Sequence, residues 1–258
     1  LQNSKAAAQK TLDFPGVVVY IKVMELAEIV SRDRRCVVIT GSGVSAESGI
    51  PTFRGEQGLW KQYQPEELAT AGAFQRNPRL VWEWYNWRRG IIGKAKPNAA
   101  HYTIAAMEQF FADFALITQN IDGLHQRAGS RSVLELHGNI WRNKCFECGK
   151  KFGEIKSDEP LQCKCGGFVR PDVVWFGESL DRGILSAAFQ KASGADLCFV
   201  IGTSGVVQPA ASIPYIAKEN GSYIIEINLE RTPISSIADF FIERKAAEMM
   251  EEMKEFWT

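Results

Sequence analysis

The sequence predicts an α/β protein built on a doubly wound parallel sheet, and three observations carry that expectation. Short apolar, β-branched runs recur at Val37 to Ile39, Phe114 to Thr118, Val133 to Leu136, Leu197 to Ile201 and Tyr223 to Ile227, each the length of a strand buried on both faces. Stretches of helical pattern separate them, as the crossovers between parallel strands require. The runs end in glycine or polar residues (Gly41-Ser42-Gly43, Gln119-Asn120, His137-Gly138, Gly202-Thr203-Ser204, Asn228), and open α/β sheets place their ligands at the carboxyl ends of strands.

In chain order, residues 1 to 16 read as a polar arm ending at Pro15-Gly16. Val23, Leu26, Ala27, Ile29 and Val30 then give an amphipathic helix leading into the first strand. After that strand, Gly41-Ser42-Gly43 with Ala46 forms a GxGxxA turn opening a helix. The first glycine is expected to permit an unusual backbone angle, the second a close approach of a pyrophosphate, and Ala46 close helix–strand packing. Such turns also punctuate many folds without binding anything. Gly49-Ile50-Pro51 stops the helix after roughly two turns, and Thr52 to Gly55 follows as a loop that can cover a ligand. Pro65 and Asn77-Pro78 open two further helices. The second carries Trp82, Trp84, Tyr85 and Trp87, four aromatics within six residues, more than one buried stripe requires. Pro97-Asn98 opens a helix through Phe111, Val173 to Gly177 is expected to resume the sheet, and helices are expected at 183–193, 208–220 and 243–256.

Composition narrows the class. The 258 residues are 45% hydrophobic and 23% charged, ordinary for a globular protein. Thirty basic residues balance thirty acidic ones, which gives no support for nucleic acid or a membrane surface as the main partner. No apolar run approaches the ~18 residues of a membrane helix, because Lys22, Glu25 and Glu28 interrupt the stretch from Val17 to Val30. The leading LQNSKAAAQK lacks the order of a secretory signal. A cytoplasmic protein is expected, whose six cysteines need an explanation other than disulfides.

Cys145-x2-Cys148, then fourteen residues, then Cys163-x-Cys165, supplies that explanation for four of them. Four thiolates complete a tetrahedral Zn²⁺ site and leave no open position, so the metal is expected to be structural. Cys36 and Cys198 lie in apolar strands and read as core. Of three histidines, His101 and His125 read as structural or surface residues. His137 stands at a strand's carboxyl end beside a glycine, where an imidazole of ordinary pKa near 6.5 suits a general base.

Together these segments resemble the sirtuins, NAD-dependent protein-lysine deacylases with the signature GAGxSxxSGIPxFR; Ser42 replaces its alanine. GSGVSAESGIPTFRG, TQNIDGLH, LELHGN, the four cysteines, VVWFGE, GTSGVVQPAA and EINLE occur in sirtuin order from about residue 20 onward. The resemblance implies NAD as co-substrate, held by Gly41, Ser42, Gly43, Ala46, Glu47, Phe53 and Arg54. Gln119, Asn120 and Asp122 would shape the nicotinamide and ribose pocket, and Gly202, Thr203, Ser204, Asn228, Glu230 and Ala246 the adenosine half. It implies a catalytic set of His137, Asn120 and Asp122, and products that are nicotinamide, free lysine and O-acyl-ADP-ribose. A Rossmann-like domain over 20–258, after an arm at 1–19, would carry a smaller zinc-binding and helical lobe from about 52–96 and 141–170. Acyl-lysine proteins or peptides would enter the cleft between them along Val174, Phe176 and Gly177. Tyr85 and Arg88 share a helix face. By themselves they read as a core aromatic and a solvated charge, but Tyr-x-x-Arg with Ala69 resembles the subgroup that removes succinyl and malonyl groups while retaining some deacetylation. A mono-ADP-ribosyltransferase and a non-catalytic zinc-dependent interaction module remain as alternatives.

Overall fold

The computed structural model describes residues 29–53, 58–59 and 64–257. The arm, most of the first amphipathic helix and Arg54 lie outside them. Among the described residues the main sheet has six strands: β1 (Arg35–Thr40), β2 (Asp113–Thr118), β3 (Val133–Glu135), β7 (Leu197–Ile201), β8 (Tyr223–Asn228) and β9 (Phe240–Glu243), in the order β3-β2-β1-β7-β8-β9 with every pair parallel. The order reverses direction between β1 and β7, and that switch point opens a crevice beyond the strand ends.

The apolar runs are continuous because both faces are covered. Along β1, Cys36 and Val38 enter one core with Leu116, Phe199 and Ile225, while Val37 and Ile39 enter the other with Ile117 and Val200, the two-residue alternation of a strand. The first core is closed by helix Ala99–Phe110 through Ile104 and Met107 and by helix Ala246–Glu252 through Met249 and Met250. The second is closed by helices Arg182–Ser193 and Ile213–Glu219. Side chains cap the helices where the sequence changes register: Asn77 Oδ1 accepts from the Leu80 N–H ahead of helix Pro78–Lys94, and Asp181 Oδ1 from the Ile184 N–H.

Three expectations are corrected. Val173 to Gly177 does not resume the main sheet. Instead β6 (Val169–Val173) runs antiparallel to β4 (Gly138–Cys145), which also pairs with β5 (Lys151–Phe152), in a separate three-stranded sheet that brings the cysteine pairs together. The segment is apolar because Val173 and Trp175 enter a third core with Phe74, Val81 and Ile140. Just ahead of the helix expected from 243, Phe240-Phe241-Ile242 forms the apolar part of β9, an edge strand in which only Ile242 is fully buried, and the helix itself begins at Ala246. The helix expected at 208–220 is broken, with a 3₁₀ turn at Ala210–Ser212 before the α-helix that opens with Ile213-Pro214.

No helix among the described residues is long and apolar enough to cross a membrane.

Candidate active site

The crevice at the switch point is a cleft of about 910 Å³. β1 delivers Gly41 to it, β7 delivers Gly202 and Thr203, β2 delivers Gln119 and Asn120, and β8 delivers Asn228. The loops are tied to one another: Gln119 Nε2 donates to Thr203 Oγ1 at 2.9 Å and Asn228 Nδ2 to the Thr203 carbonyl at 2.8 Å.

Glycine is required where β1 and β7 meet, for a reason other than the expected one. Neither Gly41 nor Gly43 adopts a left-handed angle. A Cβ on Gly41 would lie 2.7 Å from the Gly202 carbonyl oxygen, and one on Gly43 2.7 Å from Gly202 Cα. The Gly43 N–H donates to the Gly202 carbonyl at 2.8 Å, so the two strand-end loops touch backbone to backbone. The result is a crevice floor free of side chains, the shape a pyrophosphate needs for close approach. Ser42, Ala46, Phe53, Ser204 and Glu230 also line the cleft. Glu47 and Ala246 do not. The Glu47 carboxylate instead accepts the Ala247 N–H at 2.7 Å, at the start of the helix that Ala246 opens.

His137 follows β3 and lines the same cleft. Its Nδ1 lies 3.1 Å from the Gln119 carbonyl oxygen. A carbonyl only accepts, so Nδ1 carries the proton and Nε2 keeps its lone pair. Burial lowers the pKa of His137, and the hydrogen bond to Gln119 offsets that in part. The imidazole is therefore neutral at pH 7. The adjacent turn needs Gly138, whose φ is +80° and whose added Cβ would strike the Asp172 carbonyl. Glu135 fastens the turn from below by accepting from Gln126 Nε2 at 2.8 Å and Asn139 Nδ2 at 2.7 Å, and by pairing with Arg142.

Beneath the floor lies a buried polar cluster. Asp122 does not line the cleft; its carboxylate accepts from Ser45 Oγ and from the Leu124 N–H, both at 2.8 Å, and burial raises its pKa. Asn120, which does line the cleft, donates from Nδ2 to the Gly41 carbonyl at 2.9 Å. Asp122 thus holds Ser45, and Asn120 holds the glycine turn. Ser45, Thr40 and Thr118 were not singled out in the sequence, where a hydroxyl at a strand end gives no signal of its partner. His101 and His125 are structural, 0% and 1% exposed, with His125 Nε2 3.0 Å from Thr40 Oγ1.

Burial lowers the pKa of His101 to about 4 and that of His125 well below the ordinary value. In the unfolded chain both protonate near 6.5. As pH falls below about 6.5 the unfolded state takes up protons that the folded state refuses, so stability is full above that value and declines toward pH 4. Denaturant melts between pH 7.5 and 4.5 should show this decline, and His101→Gln should flatten it.

Ala69, Tyr85, Arg88, Val174, Phe176 and Gly177 line another part of the cleft. Tyr85 is a core aromatic that also reaches the cleft. Arg88 is not a solvated charge: it is 5% exposed, between the rings of Phe53 and Trp84 at 4.6 and 5.1 Å. No acceptor among the described residues lies within hydrogen-bond distance of its guanidinium, and burial lowers its pKa. A buried cation without an acceptor is costly unless a ligand supplies one.

The four sulfurs of Cys145, Cys148, Cys163 and Cys165 lie within 4.8 Å of one another, and all are free thiols. Tetrahedral Zn–S bonds of about 2.3 Å need sulfurs roughly 3.8 Å apart, and Cys145–Cys165 and Cys148–Cys163 stand at 3.4 and 3.8 Å. The cluster fits structural zinc. Cys145→Ser should release the metal and lower the melting temperature by several degrees, because closed thiolate sites contribute folding energy; metal analysis with calorimetry checks both.

A doubly wound sheet whose strand-end glycines meet backbone to backbone at its switch point, in a cleft lined by a neutral histidine with Nε2 unprotonated, defines a nucleotide-binding α/β enzyme. Residues 41–209 match the Sir2 family, and the chain belongs to that family. It is 57% identical over 215 residues to a protein of Aquifex aeolicus named NAD-dependent protein deacylase, across 82% of this chain and 90% of that one. It is similar to a solved Sir2 homolog–NAD complex (TM-score 0.84, 46% identity, 91% of this chain and 93% of that one). It is also similar to a Sir2–p53 peptide–NAD⁺ complex (TM-score 0.79, 35% identity, 90% and 96%).

Proposed function

We propose that this chain, an NAD-dependent protein deacylase of the Sir2 family, takes succinyl and malonyl groups from lysine in preference to acetyl. The observation that carries the acyl preference is Arg88, a buried guanidinium at the cleft wall with no hydrogen-bond acceptor among the described residues. Arg88 offers donors only and Tyr85 adds a hydroxyl proton, so a carboxylate at the end of an acyl chain accepts from both. Ala69 leaves the room.

NAD, once bound, supplies a ribose carbon that becomes electrophilic as nicotinamide leaves. Gly41, Ser42, Gly43, Gly202, Thr203 and Ser204 hold its phosphates and adenosine side, with Asn228 and Glu230 at the ribose. Phe53 flanks the site and shields it from bulk water. Asn120 and Gln119 orient the nicotinamide end, and Asp122 acts from below by fixing Ser45. His137 Nε2 takes a proton from a ribose hydroxyl, while Gln119 holds the other nitrogen. The acyl-lysine peptide lies along Val174, Phe176 and Gly177. We assign the catalytic domain to 20–258, with the smaller lobe from about 52–96 and 141–170.

The test is a product assay on succinyl-, malonyl- and acetyl-lysine peptides with and without NAD. With one water consumed per turnover, the expected products are free lysine peptide, nicotinamide and O-acyl-ADP-ribose in equal amounts. A peptide that gains the mass of ADP-ribose would make the chain an ADP-ribosyltransferase instead.

A further inference from the structure

Trp175 sits where β6 has ended and the chain turns toward the cleft, and it is 2% exposed. Its ring packs on Phe74 at 5.3 Å. Its main-chain N–H donates to Glu178 Oε2 at 2.9 Å, and the same carboxylate pairs with Arg170, whose guanidinium lies on the indole face. The indole is thus held on its backbone and on its face, and its Nε1–H donates to the Tyr85 hydroxyl oxygen at 2.9 Å.

An indole nitrogen only donates, so the direction of that bond is fixed and Tyr85 accepts. A phenol has one proton, which here must point away from Trp175. Among the described residues no acceptor meets it. Arg88, one helical turn on, also only donates. A hydroxyl free of the indole could turn its oxygen toward Arg88 and satisfy that cation internally.

We propose that Trp175 is a positioning residue for acyl selectivity: by donating to Tyr85 it holds the phenolic proton ready for the carboxylate of a succinyl or malonyl group. The proposal rests on the acyl preference inferred above.

A double-mutant cycle tests it, with succinyl- and acetyl-lysine peptides at saturating NAD and the variants Trp175→Phe, Tyr85→Phe and both together. Each single change should raise the KM for the succinyl peptide about tenfold, and the double variant should be no worse than Tyr85→Phe alone. The acetyl peptide should show no such coupling. Additive losses, or equal losses on both peptides, would make Trp175 a merely structural residue and overturn the proposal. If Trp175→Phe does not fold, the indole ¹H–¹⁵N signal of the wild type decides. That signal, identified by its displacement in Tyr85→Phe, should keep its position when succinyl peptide binds, and a move to the Tyr85→Phe position would refute the proposal. A wild type without succinyl preference overturns the acyl reading and this proposal together, whereas a preference that survives in Trp175→Phe overturns this proposal alone.

Discussion

Replacing His137 with alanine is expected to lower NAD-dependent deacylation about a thousandfold, the scale of a lost general base, with the melting temperature little changed. The fold should tolerate the loss because His137 is half-buried and its side-chain hydrogen bond, to the Gln119 carbonyl, is peripheral to the three cores. Its lowered pKa adds a signature. The base works as the neutral imidazole, so activity should persist below pH 6.5 and fall only as pH drops through the lowered pKa. A kcat/KM profile whose acidic limb lies above 6.5, or a folded His137→Ala enzyme with wild-type turnover, would remove His137 from the role.

The second large effect concerns Arg88→Met. Methionine keeps the unbranched stem between Phe53 and Trp84 but removes the charge. The KM for succinyl peptide should rise about thirtyfold to a hundredfold, the worth of a charge-assisted pair in a desolvated site, and the KM for acetyl peptide should change much less. The same variant should be at least as stable as the wild type without ligand, because it no longer buries a cation that has no hydrogen-bond acceptor among the described residues. Equal kinetic effects on both peptides, or a large loss of stability, would mean that Arg88 serves the fold.

Much of the sheet was legible because burial on both faces turns β1, β2 and β7 into unbroken apolar runs, and β8 into one interrupted only by Glu226, and parallel pairing ends them on one side. β9 was not, although Phe240-Phe241-Ile242 is apolar, because the strand is only four residues long and, at the sheet edge, buries only Ile242 fully. Val173 to Gly177 was misread because the pattern cannot tell a sheet core from the core under a neighbouring lobe, where Trp175 lies. At the site, strand-end positions identified the side chains facing the cleft. Partnerships across the fold were illegible: Glu47 meets Ala247 from 200 residues away, and Tyr85 meets Trp175 from 90. Arg88 illustrates the difference, for only its surroundings distinguish a solvated helix charge from a buried one awaiting an anion.

The central claim, an NAD-dependent deacylase tuned to acyl groups ending in a carboxylate, is tested most directly by competition. Equal concentrations of succinyl- and acetyl-lysine forms of one peptide, mixed with enzyme and limiting NAD, report the ratio of the two kcat/KM values in a single mass spectrum. The account predicts that O-succinyl-ADP-ribose outweighs O-acetyl-ADP-ribose at least tenfold in wild type, a ratio of about 1.4 kcal/mol. Acetyl transfer equal to or faster than succinyl transfer would contradict it.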